Sequence, residues 1–188
     1  MRSLVTCSVA LAVASLVSVA QAEVKSGPQA GESVGAFTVE KIAGNANDGV
    51  ADGKKLCYRC KMGNKPVVAV FSRSTDPSVA TLMKKLDAVS AKNADKGFVA
   101  YVNLLGDNPE ALKKDAKSLV EKSGTKHIAV VVPKDHKTGP ANHKLSDKAD
   151  VTVVIYKKGK VAVNHAVAGK LDDARIAQIV KDTGTILQ

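Results

Sequence analysis

Two of the three cysteines in this chain, Cys57 and Cys60, are separated by only two residues. A Cys-x-x-Cys pair forms a disulfide, exchanges that disulfide with a partner thiol, or supplies two thiolates to a soft metal ion. The pair lies in the stretch LCYRCKMGNKPVVAVFSRSTDP, residues 56–77, just ahead of an apolar run typical of a buried strand. The rest of the chain is expected to position it.

The sequence around the cysteines leaves a structural disulfide and an exchangeable disulfide open as interpretations. A purely structural bridge would stabilise the fold only modestly, because two intervening residues close a very small ring. Exchange is favoured by Lys55, Arg59 and Lys61, because positive charge stabilises a thiolate. The same lysines equally fit the charges of a solvated loop. Tyr58, between the cysteines, would offer a docking surface for a partner.

A metal site is the third interpretation, and it requires ligands besides the two sulfurs. None of the histidines has a partner nearby in sequence that marks it as a ligand or a catalytic base. The sequence therefore assigns no metal and no cofactor, and Cys57 and Cys60 are predicted as the catalytic residues. The residues that would complete a copper or zinc site are Met62, His136, His143 and His165.

Residues 1–22 have the pattern of a secretory signal peptide. Arg2 gives a positive start, Leu4–Val19 is an uncharged apolar run that includes Cys7, and Ala20-Gln21-Ala22 is a small-x-small cleavage motif. The run is shorter than the roughly 20 residues that usually span a membrane. We expect cleavage near Ala22 and export to a periplasm or to the cell exterior, where a disulfide persists.

The remaining length suits one domain. Residues 23–33 are small, polar and contain Gly and Pro, so they predict a flexible tether ahead of a domain at 34–188. This part of the chain has no apolar run long enough to be a transmembrane segment. The net charge of +10 is spread among interleaved acidic residues and there is no Trp, which predicts a solvated surface and no nucleic-acid binding.

Strands and helices alternate through most of this domain. Each predicted helix has a capping residue at its start, followed in two of the three by proline at the first helical position. A Lys-Lys-Gly-Lys turn joins the last two strands into a hairpin with Gly in the left-handed conformation. The predicted strands are 34–39, 67–71, 98–105, 128–132, 151–156 and 161–167; the helix caps are Asp76, Asn108 and Asp172, and the helix ends are Gly124 and Gly184.

This order of elements resembles the thioredoxin superfamily. The segment VTVVIYKKGKVAVNHAVAGKLDDARIAQIV, residues 151–180, is similar to the family's closing unit of strand, turn, strand and capped helix. The Gly-x-x-Val-Gly-x-Phe-x-Val motif from Gly31 and the extra helix and strand before the hairpin are more similar to the peroxiredoxin and thiol-reductase branch. The resemblance implies a three-layer α/β sandwich, thioredoxin-like, in which helices flank a mixed central sheet.

The resemblance also implies where a reactive cysteine pair and a cis-proline would stand. The family's pair opens the helix after the first central strand, a place occupied here by Thr75-Asp76-Pro77-Ser78. The cis-proline position aligns with Val151. The standard site is therefore predicted to be lost, and Cys57 and Cys60 are predicted to lie near the N-terminal end of strand 67–71 or on a strand that leads into it.

Together these features predict an exported thioredoxin-like protein that exchanges thiols and disulfides with a protein partner through Cys57 and Cys60. The alternative is a non-catalytic binding module that carries a structural disulfide or a copper or zinc site.

Overall fold

The computed structural model describes residues 24–188, which form one mixed sheet of seven strands with four helices. The predicted signal peptide, residues 1–22, lies outside the described residues. No helix within 24–188 has the length and apolar character needed to cross a membrane. The strands are β1 Val39–Gly44, β2 Lys55–Leu56, β3 Pro66–Ser72, β4 Val99–Leu104, β5 Ile128–Pro133, β6 Val151–Lys157 and β7 Lys160–Val167; the helices are α1 Tyr58–Met62, α2 Pro77–Lys92, α3 Pro109–Ser123 and α4 Asp173–Asp182.

The sheet runs in the order β2-β1-β5-β4-β3-β6-β7. Strands β3, β4 and β5 run parallel to one another. All pairings that involve β1, β2, β6 or β7 are antiparallel. The connections from β3 to β4 and from β4 to β5 step in the same direction, so right-handed crossovers place α2 and α3 on one face. Helix α4 packs against α2 on that face.

Both faces of the sheet are covered, as the apolar runs predict. Val68 and Val70 of β3 point into a core closed by α2, α3 and α4. Their neighbours Val67, Ala69 and Phe71 point into a second core on the opposite face, closed by α1 and by loops. The predicted three-layer α/β sandwich is confirmed, with one layer of helices and one built largely from α1 and irregular chain.

The predicted helix starts are confirmed. Asp76 accepts the N–H of Ser78, Asn108 accepts two N–H groups of the first turn of α3, and Asp172 accepts the N–H of Arg175. Gly124 ends α3 at φ 62°, as expected for a left-handed cap. The predicted cap at Gly184 is wrong.

Helix α4 stops at Asp182, and Thr183–Ile186 continues as a 3-10 turn. The physical reason is that this turn places Ile186, which is 1% exposed, in the core between the sheet and the helices. The burial of one more apolar side chain therefore determines the conformation of the chain after α4.

The chain before β1 differs from the prediction. The first strand begins at Val39, where the predicted strand 34–39 ends. Ser33 forms an isolated bridge with Lys160, and Val34 donates its N–H to the carbonyl of Gly159. The alternating pattern of 34–39 therefore reflects one bridge beside β7 and not a continuous strand.

The described part of the predicted tether, residues 24–33, packs along β6 and β7. The hydroxyls of Ser26 and Thr152 are 2.7 Å apart, and the side-chain amide of Asn164 donates to the carbonyls of Ser26 and Pro28. Ser26 is 1% exposed. Small polar residues that suit a free linker are here hydrogen-bonded to strands more than 120 residues away in sequence.

Candidate functional site

The two cysteines form a disulfide at the start of α1. Strand β2 ends at Leu56, Cys57 is the N-cap of α1, and Cys60 lies in its single turn with a Cα–Cα distance of 5.2 Å. Cys57 is half-buried, whereas Cys60 is exposed. The sulfur of Cys57 accepts the backbone N–H of Cys60 at 3.0 Å. The sulfur of Cys57 is thus held by the backbone, and Cys60 is the more exposed residue of the pair.

The disulfide lies at the N-terminal end of β3, as the sequence predicts. Helix α1 ends at Met62, and β3 begins at Pro66 after a short turn. The family's usual site would lie beyond Ser72, at the other end of this strand. A seven-residue strand separates the two ends by about 20 Å.

Tyr58, between the cysteines, is fully buried and fixes α1 on the sheet. Its ring stacks on Tyr101 of β4 with centroids 5.0 Å apart, and its hydroxyl donates to a carboxylate oxygen of Asp48 at 2.5 Å. The sequence suggested Tyr58 as a docking surface for a partner. The structure instead makes it the anchor that holds both cysteines in place.

Asp48 connects this anchor to the sheet through a buried charge. Its other carboxylate oxygen accepts the ammonium of Lys41 at 2.9 Å and the N–H of Val50 at 2.8 Å. Lys41 is 1% exposed and also donates to the carbonyls of Asn45 and Val50. Sequence reasoning missed this network, because a Lys in a short strand and an Asp in a Gly-rich loop carry no pattern that distinguishes them from surface residues.

The tyrosines beneath the disulfide remain protonated. Burial, then the hydrogen bond to Asp48, raises the pKa of Tyr58, and burial also raises the pKa of Tyr101 and of Tyr156 on β6. A neutral phenol is a poor base. Any thiolate chemistry here therefore depends on the positive charges around the sulfurs and on backbone N–H groups.

Arg59 lies between the disulfide and the β6–β7 hairpin. Its guanidinium donates to the carbonyls of Val34 and Gly63, and it lies so close to Gly159 that a methyl group at that glycine would overlap it. Gly159 has φ 73° and so favours glycine on conformational grounds as well. This contact places the Lys158 turn beside α1.

The candidate metal ligands do not gather around the sulfurs. Met62 is buried in the core under α1, the ring of His136 lies 2.7 Å from the carbonyl of Gly106, and His165 on β7 lies 3.0 Å from Asp182. His143 is buried between Phe37 and Phe71. Within residues 24–188, no three His, Cys, Asp or Glu side chains form a cluster able to hold a metal ion.

His143 makes the stability of the fold depend on pH. Burial lowers its pKa from 6.5 to about 4, so between these values the unfolded chain binds a proton that the folded protein excludes. Stability therefore falls as the pH drops from 6.5 towards 4. Between pH 7 and pH 5, the free energy of unfolding of His143→Gln should therefore fall by about 2 kcal/mol less than that of the unmodified protein.

Urea unfolding of both proteins at each pH measures this difference. The comparison cancels the carboxylates and the other histidines, which are present in both. Parallel pH profiles would show that His143 is protonated equally well in the folded and unfolded states.

The place where the resemblance puts the family's own site is a small cavity of about 120 Å³ between the start of α2 and the start of β6. Asp76, Ser78 and Val151 line it. The N–H of Ser78 and then the ammonium of Lys170 hold the pKa of the Asp76 carboxyl below its usual value, which weakens that carboxylate as a base. The sulfurs lie at the opposite end of β3.

By sequence, the chain matches no protein-family model and no curated protein. By structure, it is similar to a proposed thiol:disulfide interchange protein DsbE from Chlorobium tepidum, with TM-score 0.64 and 14% identity over 85% of this chain and 99% of that chain. A proposed protein disulfide isomerase from Bacteroides thetaiotaomicron gives TM-score 0.64 and 15% identity over 87% and 94% of the two chains. Thiol peroxidase from Chromobacterium violaceum gives TM-score 0.53 and 13% identity over 88% of this chain and 93% of that chain.

These similarities show that the chain has the thioredoxin-like fold. By their names, two of these solved structures are proposed thiol-disulfide proteins and one is a thiol peroxidase. At 13–15% identity the similarity shows the fold only, and the chemistry depends on the residues of the site.

Proposed function

We propose that this protein is exported and exchanges thiols and disulfides with partner proteins in the cell envelope or outside the cell, using Cys57 and Cys60. The observation that carries the proposal is the unequal exposure of the two cysteines, which lie among basic residues: Cys60 is exposed and Cys57 is half-buried. An incoming thiolate reaches an exposed sulfur first. The thioredoxin-like fold and the leader pattern of residues 1–22 support the proposal.

The exchange begins at Cys60. A partner thiolate attacks the Cys60 sulfur, the Cys57–Cys60 bond breaks, and Cys57 leaves with the electron pair as a thiolate. The N–H of Cys60, already 3.0 Å from the Cys57 sulfur, stabilises that thiolate. A second partner thiolate then attacks the partner's sulfur in the mixed disulfide and releases Cys60.

The net result is oxidation of two partner thiols to one disulfide and two-electron reduction of the Cys57–Cys60 pair. The reverse sequence, beginning with a Cys60 thiolate, reduces a partner disulfide. The second cysteine of the motif, Cys60, is thus attacked before the first, because Cys60 is the exposed residue of the pair.

Glutathione titration of the purified protein with thiol trapping tests the proposal. We expect a reduction potential near −200 mV or higher, in the range of exchange catalysts. A value below about −300 mV would identify a structural clasp, which is the alternative of a non-catalytic module. Free thiols with bound copper or zinc would support the metal alternative instead.

The two single-cysteine variants test the order of attack. Cys57→Ser leaves the exposed thiol and Cys60→Ser leaves the half-buried one. We expect Cys57→Ser to form a mixed disulfide with oxidised glutathione at least about tenfold faster. Similar rates for the two variants would remove the assigned order while leaving exchange itself open to the titration.

A further inference from the structure

The chain around the disulfide carries an excess of positive charge. Residues 53–66 contain five basic side chains and no acidic one. The nearest acidic residues along the chain are Asp48, which is buried against Lys41, and Asp52, which lies 3.9 Å from the same ammonium. Asp48 is held by Lys41, whereas the side chain of Asp52 is 62% exposed and is the carboxylate nearest to these charges along the chain.

The β6–β7 hairpin adds to this surface. The contact of Arg59 with Gly159 brings the exposed Lys158 next to α1. We define the basic surface as Lys55, Arg59, Lys61 and Lys158. Among residues 24–188, the ion pairs of the protein involve none of these four side chains.

The lysines of this surface are exposed and the arginine is positioned. Arg59 directly precedes Cys60, and its guanidinium is held by the carbonyls of Val34 and Gly63. Lys55 precedes Cys57 by two residues and Lys61 follows Cys60 directly. Charges of this kind act on an approaching group within a screening length of about 10 Å.

We propose that the partner is an acidic polypeptide whose reactive cysteine is flanked by Asp or Glu. This inference rests on the proposed function and names its substrate class. A cysteine-bearing partner is favoured over another polyanion because the exposed sulfur of Cys60 lies within the charged surface. Complementary charge raises the rate of encounter and orients the partner, and it does so less as salt is added.

The exchange step is the one written above, with the acidic polypeptide as the thiol. Its thiolate attacks Cys60, Cys57 leaves as a thiolate, and a second thiol of the partner closes the partner's disulfide. The partner is oxidised by two electrons and the pair is reduced by two. No other oxidant is involved.

Three synthetic peptides of equal length test the inference, with one cysteine flanked by Glu, by Ser or by Lys. The measured quantity is the second-order rate of opening the Cys57–Cys60 disulfide, expressed per thiolate after titration of each peptide. At low salt we expect the Glu peptide to react about tenfold faster than the Lys peptide. In about 0.5 M salt the ratio should approach one.

Charge reversal at the surface provides the matched comparison. Lys61→Glu and Lys158→Glu should each reduce the ratio of Glu-peptide to Lys-peptide rates. Lys114→Glu is the control, because it makes the same change of charge at an exposed position of α3, on the other face of the sheet. The salt comparison on the unmodified protein remains decisive if a variant fails to fold.

The outcomes separate this inference from the proposed function. If 2-mercaptoethanol and all three peptides open the disulfide but the peptides do so at one rate per thiolate, exchange stands and the acidic partner is wrong. Equal effects of Lys61→Glu and Lys114→Glu would likewise show that only the overall charge matters. If no thiol opens the disulfide, the function and the inference fall together.

Discussion

Replacing Asp48 with alanine should lower the free energy of unfolding by about 3–5 kcal/mol. The side chains of Lys41 and Asp48 are 1% and 5% exposed, so the variant would leave an ammonium inside the fold with carbonyls and only the exposed Asp52, at 3.9 Å, as a counter-charge. It would also remove the acceptor of the Tyr58 hydroxyl. A buried charge that loses its partner costs far more than an exposed one, because water cannot replace the partner. Urea unfolding of the oxidised protein measures the loss.

Asp52 provides the control for this variant. It also faces Lys41, at 3.9 Å, but its side chain is 62% exposed. Asp52→Ala should therefore change stability by less than about 0.5 kcal/mol. The double variant Asp48→Ala with Lys41→Met should be more stable than Asp48→Ala alone, because it removes the unpaired charge. Equal losses for Asp48→Ala and Asp52→Ala would contradict the assignment of a buried ion pair.

Asp48→Ala should also affect the disulfide, because it removes the acceptor of the Tyr58 hydroxyl. Asp48 is ten residues from Tyr58 in sequence and holds it on the sheet. Without that bond, the single turn of α1 keeps the stacking of Tyr58 on Tyr101, the burial of Met62 and the hydrogen bond from Arg59 to Val34. We infer that the network keeps Cys57 half-buried and Cys60 exposed, and so maintains the difference between the two sulfurs on which the exchange order depends.

The central strands and the long helices were predictable because their signals are local and redundant. Val67–Phe71 is continuously apolar and buried on both faces, which only a covered strand allows. Asp76 with Pro77 and Asn108 with Pro109 each place a capping oxygen before a proline. Such signals act within a few residues of the chain. The structure confirms each of these predicted elements.

The elements that hold the cysteines lack such signals. Helix α1 has one turn and buries only Tyr58 and Met62, which is too short for an apolar period to be recognised. Ser26 bonds to Thr152 across 126 residues, through hydroxyls that equally suit a free linker. The position of the pair at the N-terminal end of β3 followed from the order of elements. Its support by Lys41 and Asp48 did not, because that support depends on non-local hydrogen bonds.

Gly44→Ala should be the most damaging change of a glycine to alanine at the edge between β1 and β5. Gly44 has φ 81° and ends β1 opposite Ala129. A methyl group there would overlap the carbonyl oxygen of Ile128, which belongs to the backbone of β5 and cannot turn aside as a side chain can. The substitution therefore adds a backbone clash to the strain of a left-handed conformation. We expect a loss of at least about 3 kcal/mol, measured by urea unfolding.

Gly31→Ala separates the two contributions. Gly31 has a nearly identical φ of 84°, but a methyl group there would have no atom within 4 Å. The free energy of unfolding of this control should fall only by the conformational cost of about 1–2 kcal/mol. The difference between the two variants then measures the clash with Ile128 alone. Similar losses would mean that the end of β1 moves away from β5 at little cost, and that this edge of the sheet does not constrain the loop that carries Asp48.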